Sequence, residues 1–97
     1  MTPAALRELP DASALSLPLQ ALWREARGDW DAAHELAQQA GSREGDWVHA
    51  YLHRKEGDIG NADYWYARAG RRRPDLTLEQ EWEQVAAVLL GTTGGAR

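Results

Sequence analysis

Hydrophobic residues recur along the chain three and four positions apart, between short breaks made by glycine, aspartate and proline. No stretch alternates apolar and polar residues over the length of a strand, so the pattern predicts an all-α fold. Near the C-terminus, one stripe of a predicted helix carries the apolar residues Leu78, Trp82, Val85 and Leu89. This amphipathic helix, which ends near Leu90, is of the kind that caps a helical stack with a wet outer face.

The breaks predict where the helices begin and end. Thr2 before Pro3 indicates an N-terminus because a hydroxyl side chain caps free backbone N–H groups and proline fits the first turn. Gly41 and Gly70 are typical of helix C-termini, where glycine adopts a left-handed conformation. The predicted helices are a brief one that ends before Pro10, and then about 17–27, 30–40, 46–56, 61–69 and 78–90.

The middle of the chain repeats itself at an offset of 29 residues. At this offset Gly28-Asp29 aligns with Gly57-Asp58, and the second helix of each unit carries an equivalent apolar face. Those faces are Trp30, Ala33, Leu36, Ala37 and Ala40 in the first unit and Ile59, Ala62, Trp65, Tyr66 and Ala69 in the second. We therefore predict two helical hairpins that stack, because neither can bury its apolar face alone.

A family resemblance rests on Gly57-Asp58, Ala62, Tyr66, Ala69 and Pro74. In this order they resemble the helix-turn-helix signature of tetratricopeptide repeats, although the period is 29 residues rather than about 34. The resemblance covers about residues 14–74 and implies two stacked hairpins between an N-terminal helical segment and the C-terminal capping helix. The stretch 47–71 also resembles a segment of uncharacterised bacterial proteins of this kind, which implies no function.

Composition narrows the class of protein. The length of 97 residues fits one domain, predicted over 1–90, with a disordered Gly/Thr tail at 91–97. The absence of cysteine excludes disulfides, thiolate nucleophiles and cysteine-ligated metals. A formal charge of −4 disfavours nucleic-acid binding, and no apolar run approaches the ~20 residues of a membrane span. With no N-terminal signal and a marked excess of arginine over lysine, we expect a cytoplasmic, bacterial protein.

The resemblance implies a binding face for a protein or peptide partner on the concave side of the stack, which in that family holds an extended peptide or a helix. By position this face carries Leu22 from the first unit and Trp47, Tyr51, Arg54 and Lys55 from the second. Aromatic side chains beside cations are enriched at interface hot spots. The alternative is that Trp47 and Tyr51 belong to the core. We expect a non-enzymatic binding module of this kind.

The second unit also carries a candidate small-ligand or metal site. His49 and His53 lie four residues apart on one predicted helix and therefore on one face. His34 and Asp63 align with each other in the repeat and are candidates for a third ligand, and Tyr64 is a candidate for the edge of the site. Imidazole nitrogens bind divalent metals and also perform acid–base catalysis. The alternative is that the two histidines only bridge helices through hydrogen bonds.

Two further features leave alternatives open. Arg68, Arg71, Arg72 and Arg73 form a basic cluster, which is interpreted either as a phosphate- or RNA-binding patch or as cations that complement a helix C-terminus. The acidic net charge favours the second interpretation. Two repeats are fewer than the about three that a stable stack usually needs, so the terminal helices or a second chain in a homodimer must complete the core.

Overall fold

A computed structural model describes residues 1–93. Over this range the chain forms helices and no strand, which confirms the all-α fold. The helices are α1 (Pro3–Glu8), α2 (Leu17–Ala26), α3 (Trp30–Ala40), α4 (Arg43–Lys55), α5 (Ile59–Arg68) and α6 (Leu78–Thr93). None of these described helices combines the length and apolar character that crossing a lipid bilayer requires. Of the predicted tail, 91–93 belong to α6 and 94–97 lie outside the described residues.

Most helices begin and end at the predicted signals. The Thr2 hydroxyl accepts a hydrogen bond from the Ala5 N–H at 3.1 Å, and Gly41 ends α3 with a φ of 58°. Helix α4 differs, because it begins at Arg43, three residues before the predicted start. The cause is a cap by Ser42, whose hydroxyl accepts a hydrogen bond from the backbone N–H of Gly45 at 3.1 Å.

The 29-residue repeat has a counterpart in the backbone of two turns. Gly28 and Gly57 have φ values of 81° and 90°, a region that glycine enters without steric cost. Asp29 and Asp58 follow them and cap α3 and α5. Each aspartate accepts a hydrogen bond from the backbone N–H three residues later, at 3.1 and 3.4 Å respectively. The repeat is therefore a repeat of local structure as well as of sequence.

Helices α2 and α3 pack along each other, as do α4 and α5, and α3 packs against α4. The first helices of the two pairs, α2 and α4, are also in contact. Helices α3 and α4 approach so closely that a Cβ atom on Gly45 would lie 2.6 Å from the Cβ of Ala40 and 2.8 Å from the carbonyl oxygen of Ala37. A glycine in the first turn of α4 is what permits this close packing.

The last helix, α6, lies across α2 and α4 and also contacts α1. Trp82 is its main anchor, because only 1% of this residue is exposed. Its indole Nε1 donates a hydrogen bond to the backbone oxygen of Leu22 at 3.2 Å, and the guanidinium of Arg7 lies 3.8 Å from the ring centroid. The apolar stripe of α6 is therefore buried against α2 and α4.

A charged group is buried beside this anchor. Glu81 has no exposed surface, and its carboxylate accepts hydrogen bonds from Arg54 Nη1 at 2.7 Å and from the hydroxyl of Tyr66. Burying a carboxylate is tolerated when it is paired and hydrogen-bonded, as it is here. Arg54 on α4 and Tyr66 on α5 thus connect α6 to the second helical pair.

Candidate metal centre

Three histidines meet where α3 packs against α4. His49 and His53 lie one turn apart on α4, and the two-residue connection 41–42 turns α3 back so that His34 faces them. One ligand nitrogen from each residue lies within 4.8 Å of the other two. The ring centroids of His34 and His49 are 4.5 Å apart, and those of His49 and His53 are 4.8 Å apart. These are all the histidines of the chain.

Two tryptophans hold the imidazole rings in place. Trp65 on α5 stacks on His49 with a centroid distance of 3.9 Å and an interplanar angle of 16°. Trp30 on α3 stacks on His34 at 4.9 Å and 12°. The Trp30 indole is fixed in turn, because its Nε1 donates to the backbone oxygen of Leu52 at 2.9 Å. Each of these two imidazoles is thus covered on one face by an indole, which limits its orientation before any ligand arrives.

The orientation of His53 is set by a carboxylate. Oε1 of Glu56 lies 2.6 Å from His53 Nδ1, so the ionised carboxylate places a proton on that nitrogen. Nε2 then presents its lone pair, and its nearest polar partner is the amide nitrogen of Asn61 at 3.5 Å. In metal-binding histidines, one ring nitrogen usually donates its proton to a carboxylate, and the lone pair of the other nitrogen binds the metal.

The other two histidines have no hydrogen-bond partner within residues 1–93, although His49 is only 2% exposed. No side-chain nitrogen or oxygen in that described range is both sealed from solvent and unbonded. The ring nitrogens of His34 and His49 are therefore in contact with solvent. They are available to a ligand that reaches them from outside.

Burial keeps these two imidazoles uncharged at neutral pH. Burial, together with the neighbouring imidazoles of His34 and His53, lowers the pKa of His49 to about 4. Burial and the imidazole of His53 likewise lower the pKa of His34. The neutral imidazole is the form that donates a lone pair to a metal ion, so the site is ready to bind without first releasing protons from these two rings.

This pKa shift predicts that the metal-free protein loses stability as the solution is acidified. The unfolded His49 side chain takes up a proton near pH 6.5 and the folded one only near pH 4. The contribution of His49 to the free energy of unfolding is therefore fully present above the pKa of the unfolded state. It decreases as the pH falls toward the pKa of the folded state, by up to about 1.4 kcal/mol per pH unit. Urea unfolding in chelator from about pH 7 to about pH 5 measures the slope. The slope is expected to be smaller in His49→Asn, and equal slopes would contradict the assignment.

Two residues predicted for this site lie elsewhere. Asp63, the repeat equivalent of His34, is not part of the three-histidine group, because its carboxylate accepts a hydrogen bond from Arg73 Nε at 2.9 Å. Tyr64 is 56% exposed and meets Trp65 edge-on at 5.2 Å. Of the two candidates for a third ligand, the structure brings only His34 to the site.

The residues predicted to bind a partner are largely covered. Leu22, Trp47 and Tyr51 are 0%, 4% and 2% exposed. Arg54 is paired with the buried carboxylate of α6, and Lys55 is paired with Glu25 on α2. Since α6 lies across α2 and α4, the side chains of Leu22, Trp47 and Tyr51 pack within the chain.

Several residues of the site were missed from the sequence. Trp30 and Trp65 were assigned to the apolar faces of the repeat. For Trp30 a signal existed, because its four-residue spacing from His34 places these two residues on one side of a helix. Asn61 gave no such signal, because it reaches His53 from the next helix. No protein-family model, curated protein or solved structure matches the chain.

Proposed function

We propose that the protein binds a divalent transition-metal ion through His34, His49 and His53. The convergence of the three imidazoles carries this proposal, since their donor nitrogens lie within 4.8 Å of one another. In tetrahedral zinc sites the Zn–N distance is about 2.0–2.1 Å, which places the nitrogens about 3.3 Å apart. All-nitrogen ligation by imidazole suits zinc, nickel, cobalt and copper.

The availability of the donors supports the same conclusion. Within the described part of the chain, His34 and His49 have no hydrogen-bond partner, and Glu56 orients His53. Three histidines that served only to bridge helices would be expected to bond to neighbouring polar groups. A three-ligand site also leaves one tetrahedral position open for water or another ligand.

The scaffold that we propose for this site is a pair of stacked tetratricopeptide-like hairpins, α2–α3 and α4–α5. The 29-residue offset, the equivalent turns at Gly28 and Gly57, and the contact between α2 and α4 support it. In this arrangement the metal site lies at the junction of the two hairpins, so the ion would bridge α3 of the first and α4 of the second.

Partner binding by the face of α2 and α4 is a second candidate function. Its support is that this face already receives a helix, α6, through Trp82 and Glu81. In the chain as described, the helix bound there is the chain's own.

Metal binding is tested on chelator-treated protein by adding Zn²⁺, Ni²⁺ or Co²⁺. At a metal concentration of about 100 Kd, binding is expected to stabilise the fold by about 2.7 kcal/mol, which raises Tm by roughly 11–22 °C. Titration calorimetry is expected to give one ion per chain. His34→Ala and His53→Ala are expected to abolish the shift, because each removes one of the ligands.

Asp63→Asn is the matched control, since it changes a candidate ligand that the structure places outside the site. It is expected to retain the full shift. A wild-type protein that neither binds nor is stabilised by these metals would refute the proposal. A shift of equal size in His34→Ala and His53→Ala would place the ion somewhere else.

A further inference from the structure

A groove of about 330 Å³ opens beside the three-histidine site. Its walls come from the end of α3, the first turns of α4 and the last turn of α5, and they include His49, Trp65, Arg43 and Arg68. His49 therefore belongs both to the proposed metal site and to the lining of an open groove.

The groove is built to receive negative charge. Arg43 and Arg68 lie along it, and Asp46 is the one acidic side chain in its lining. Helix α4 begins at this groove while α3 and α5 end at it, so the charge of the lining is decided by its side chains and not by the helix ends. Arg68 is engaged with Asp46 at 3.5 Å and with the side chain of Tyr64, while 53% of the Arg68 side chain remains exposed. The guanidinium of Arg68 thus has donor groups left for a further acceptor.

His49 is the observation that points to a ligand. It is 98% buried, lines the groove and has no hydrogen-bond partner in residues 1–93. If it binds a divalent ion together with His34 and His53, three uncharged imidazoles leave the full double charge of the ion in place. An anion in the open coordination position neutralises that charge.

We infer that this groove holds a small anion with a carboxylate or phosphate group, which completes the coordination of the metal and pairs with Arg68. The planar guanidinium matches both groups through two parallel hydrogen bonds. Arg68 and His49 both contact Trp65, and both line the groove. This inference rests on the proposed metal site.

The test uses full-length protein loaded with Co²⁺, whose visible absorption bands report the coordination of the ion. Acetate and inorganic phosphate are titrated separately, and each arm that gives a saturable change in the bands identifies that group as a ligand. In Arg68→Gln the apparent Kd for the anion is expected to rise about tenfold or more, because a charge-assisted contact is lost. The affinity for Co²⁺ is expected to stay unchanged.

Two further variants sharpen the result. Arg72→Gln removes an exposed arginine that does not line the groove, so it is expected to leave anion binding unchanged. Asp46→Asn releases Arg68 from its ion pair and is expected to tighten anion binding by about twofold or more. A general loss of stability would weaken anion binding in both variants. Weaker binding in Arg68→Gln together with tighter binding in Asp46→Asn therefore indicates a direct effect on the anion site.

The outcomes separate the two proposals. Cobalt bands that respond to neither anion overturn the anion site and leave the metal site intact. An anion response of equal strength in Arg68→Gln overturns the assignment to this groove. Absence of the cobalt bands altogether overturns the metal site, and the anion site with it.

Discussion

Replacing Trp82 by alanine is expected to lower the free energy of unfolding by about 3–5 kcal/mol. The indole is buried between α6 and the two helices beneath it, with 1% of the residue exposed. Truncation leaves a cavity and also removes the hydrogen bond to the backbone oxygen of Leu22 and the contact with the guanidinium of Arg7. Against a typical total stability of about 5–15 kcal/mol, the loss is large for a domain of this size.

Urea unfolding followed by tryptophan fluorescence and circular dichroism measures this effect. Val88→Ala is the matched control on the same helix, because Val88 is 39% exposed. It is expected to change the free energy of unfolding by no more than about 0.5 kcal/mol. If both variants have equally small effects, Trp82 does not anchor α6 as described.

Replacing Glu81 by alanine is expected to cost about 3–5 kcal/mol, because it leaves the charge of Arg54 without its buried partner. The Arg54 side chain is 17% exposed, so water compensates little of the loss. The hydroxyl of Tyr66 also loses its acceptor. The expected cost therefore comes from uncompensated polar groups more than from lost volume.

A double variant distinguishes these two causes. Arg54→Met combined with Glu81→Leu replaces the ion pair by apolar side chains of similar size, and it is expected to recover at least half of the lost stability. Glu83→Ala on the exposed side of α6 is the control, expected within about 0.5 kcal/mol of wild type. A double variant as unstable as Glu81→Ala would contradict this explanation.

The position of α6 shows where prediction from the sequence reached its limit. Helical periodicity correctly indicated that Trp82, Val85 and Leu89 face inward, because the period identifies the buried side of a helix. It carries no information on which surface covers that side. The face of α2 and α4 was expected to be open to a partner, and α6 lies across it instead. Glu81, three residues after Leu78 and four before Val85, borders the stripe and is fully buried, but as a charged residue it gave no apolar signal.

The candidate metal centre, too, could be predicted from the sequence only in part. The four-residue spacing of His49 and His53 was enough to place both on one side of α4. The choice between His34 and Asp63 required tertiary packing, because α3 lies against α4 while Asp63 is held by an ion pair with Arg73. Local alignment of the two repeat units could not decide between residues at equivalent positions.

Ile59 illustrates a smaller limit of the repeat. It was grouped with the apolar face of its unit because it aligns with Trp30, yet it is 37% exposed. Trp30 is covered because the first unit has a neighbour: its ring lies against His34 and His53, and its Nε1 bonds to the backbone of α4. The described residues provide no further helical pair to cover Ile59 in the same way.

The contact between α1 and α6 has a consequence for how such a chain can evolve. Arg7 on α1 pairs with Glu79 on α6 at 3.5 Å, so the first and the last helix of the described chain are in contact. An open array can gain another 29-residue unit by duplication, since the new unit only contacts its neighbours. Here α6 follows α5 and contacts α1, α2 and α4, so a unit inserted before α6 would have to preserve or replace these contacts.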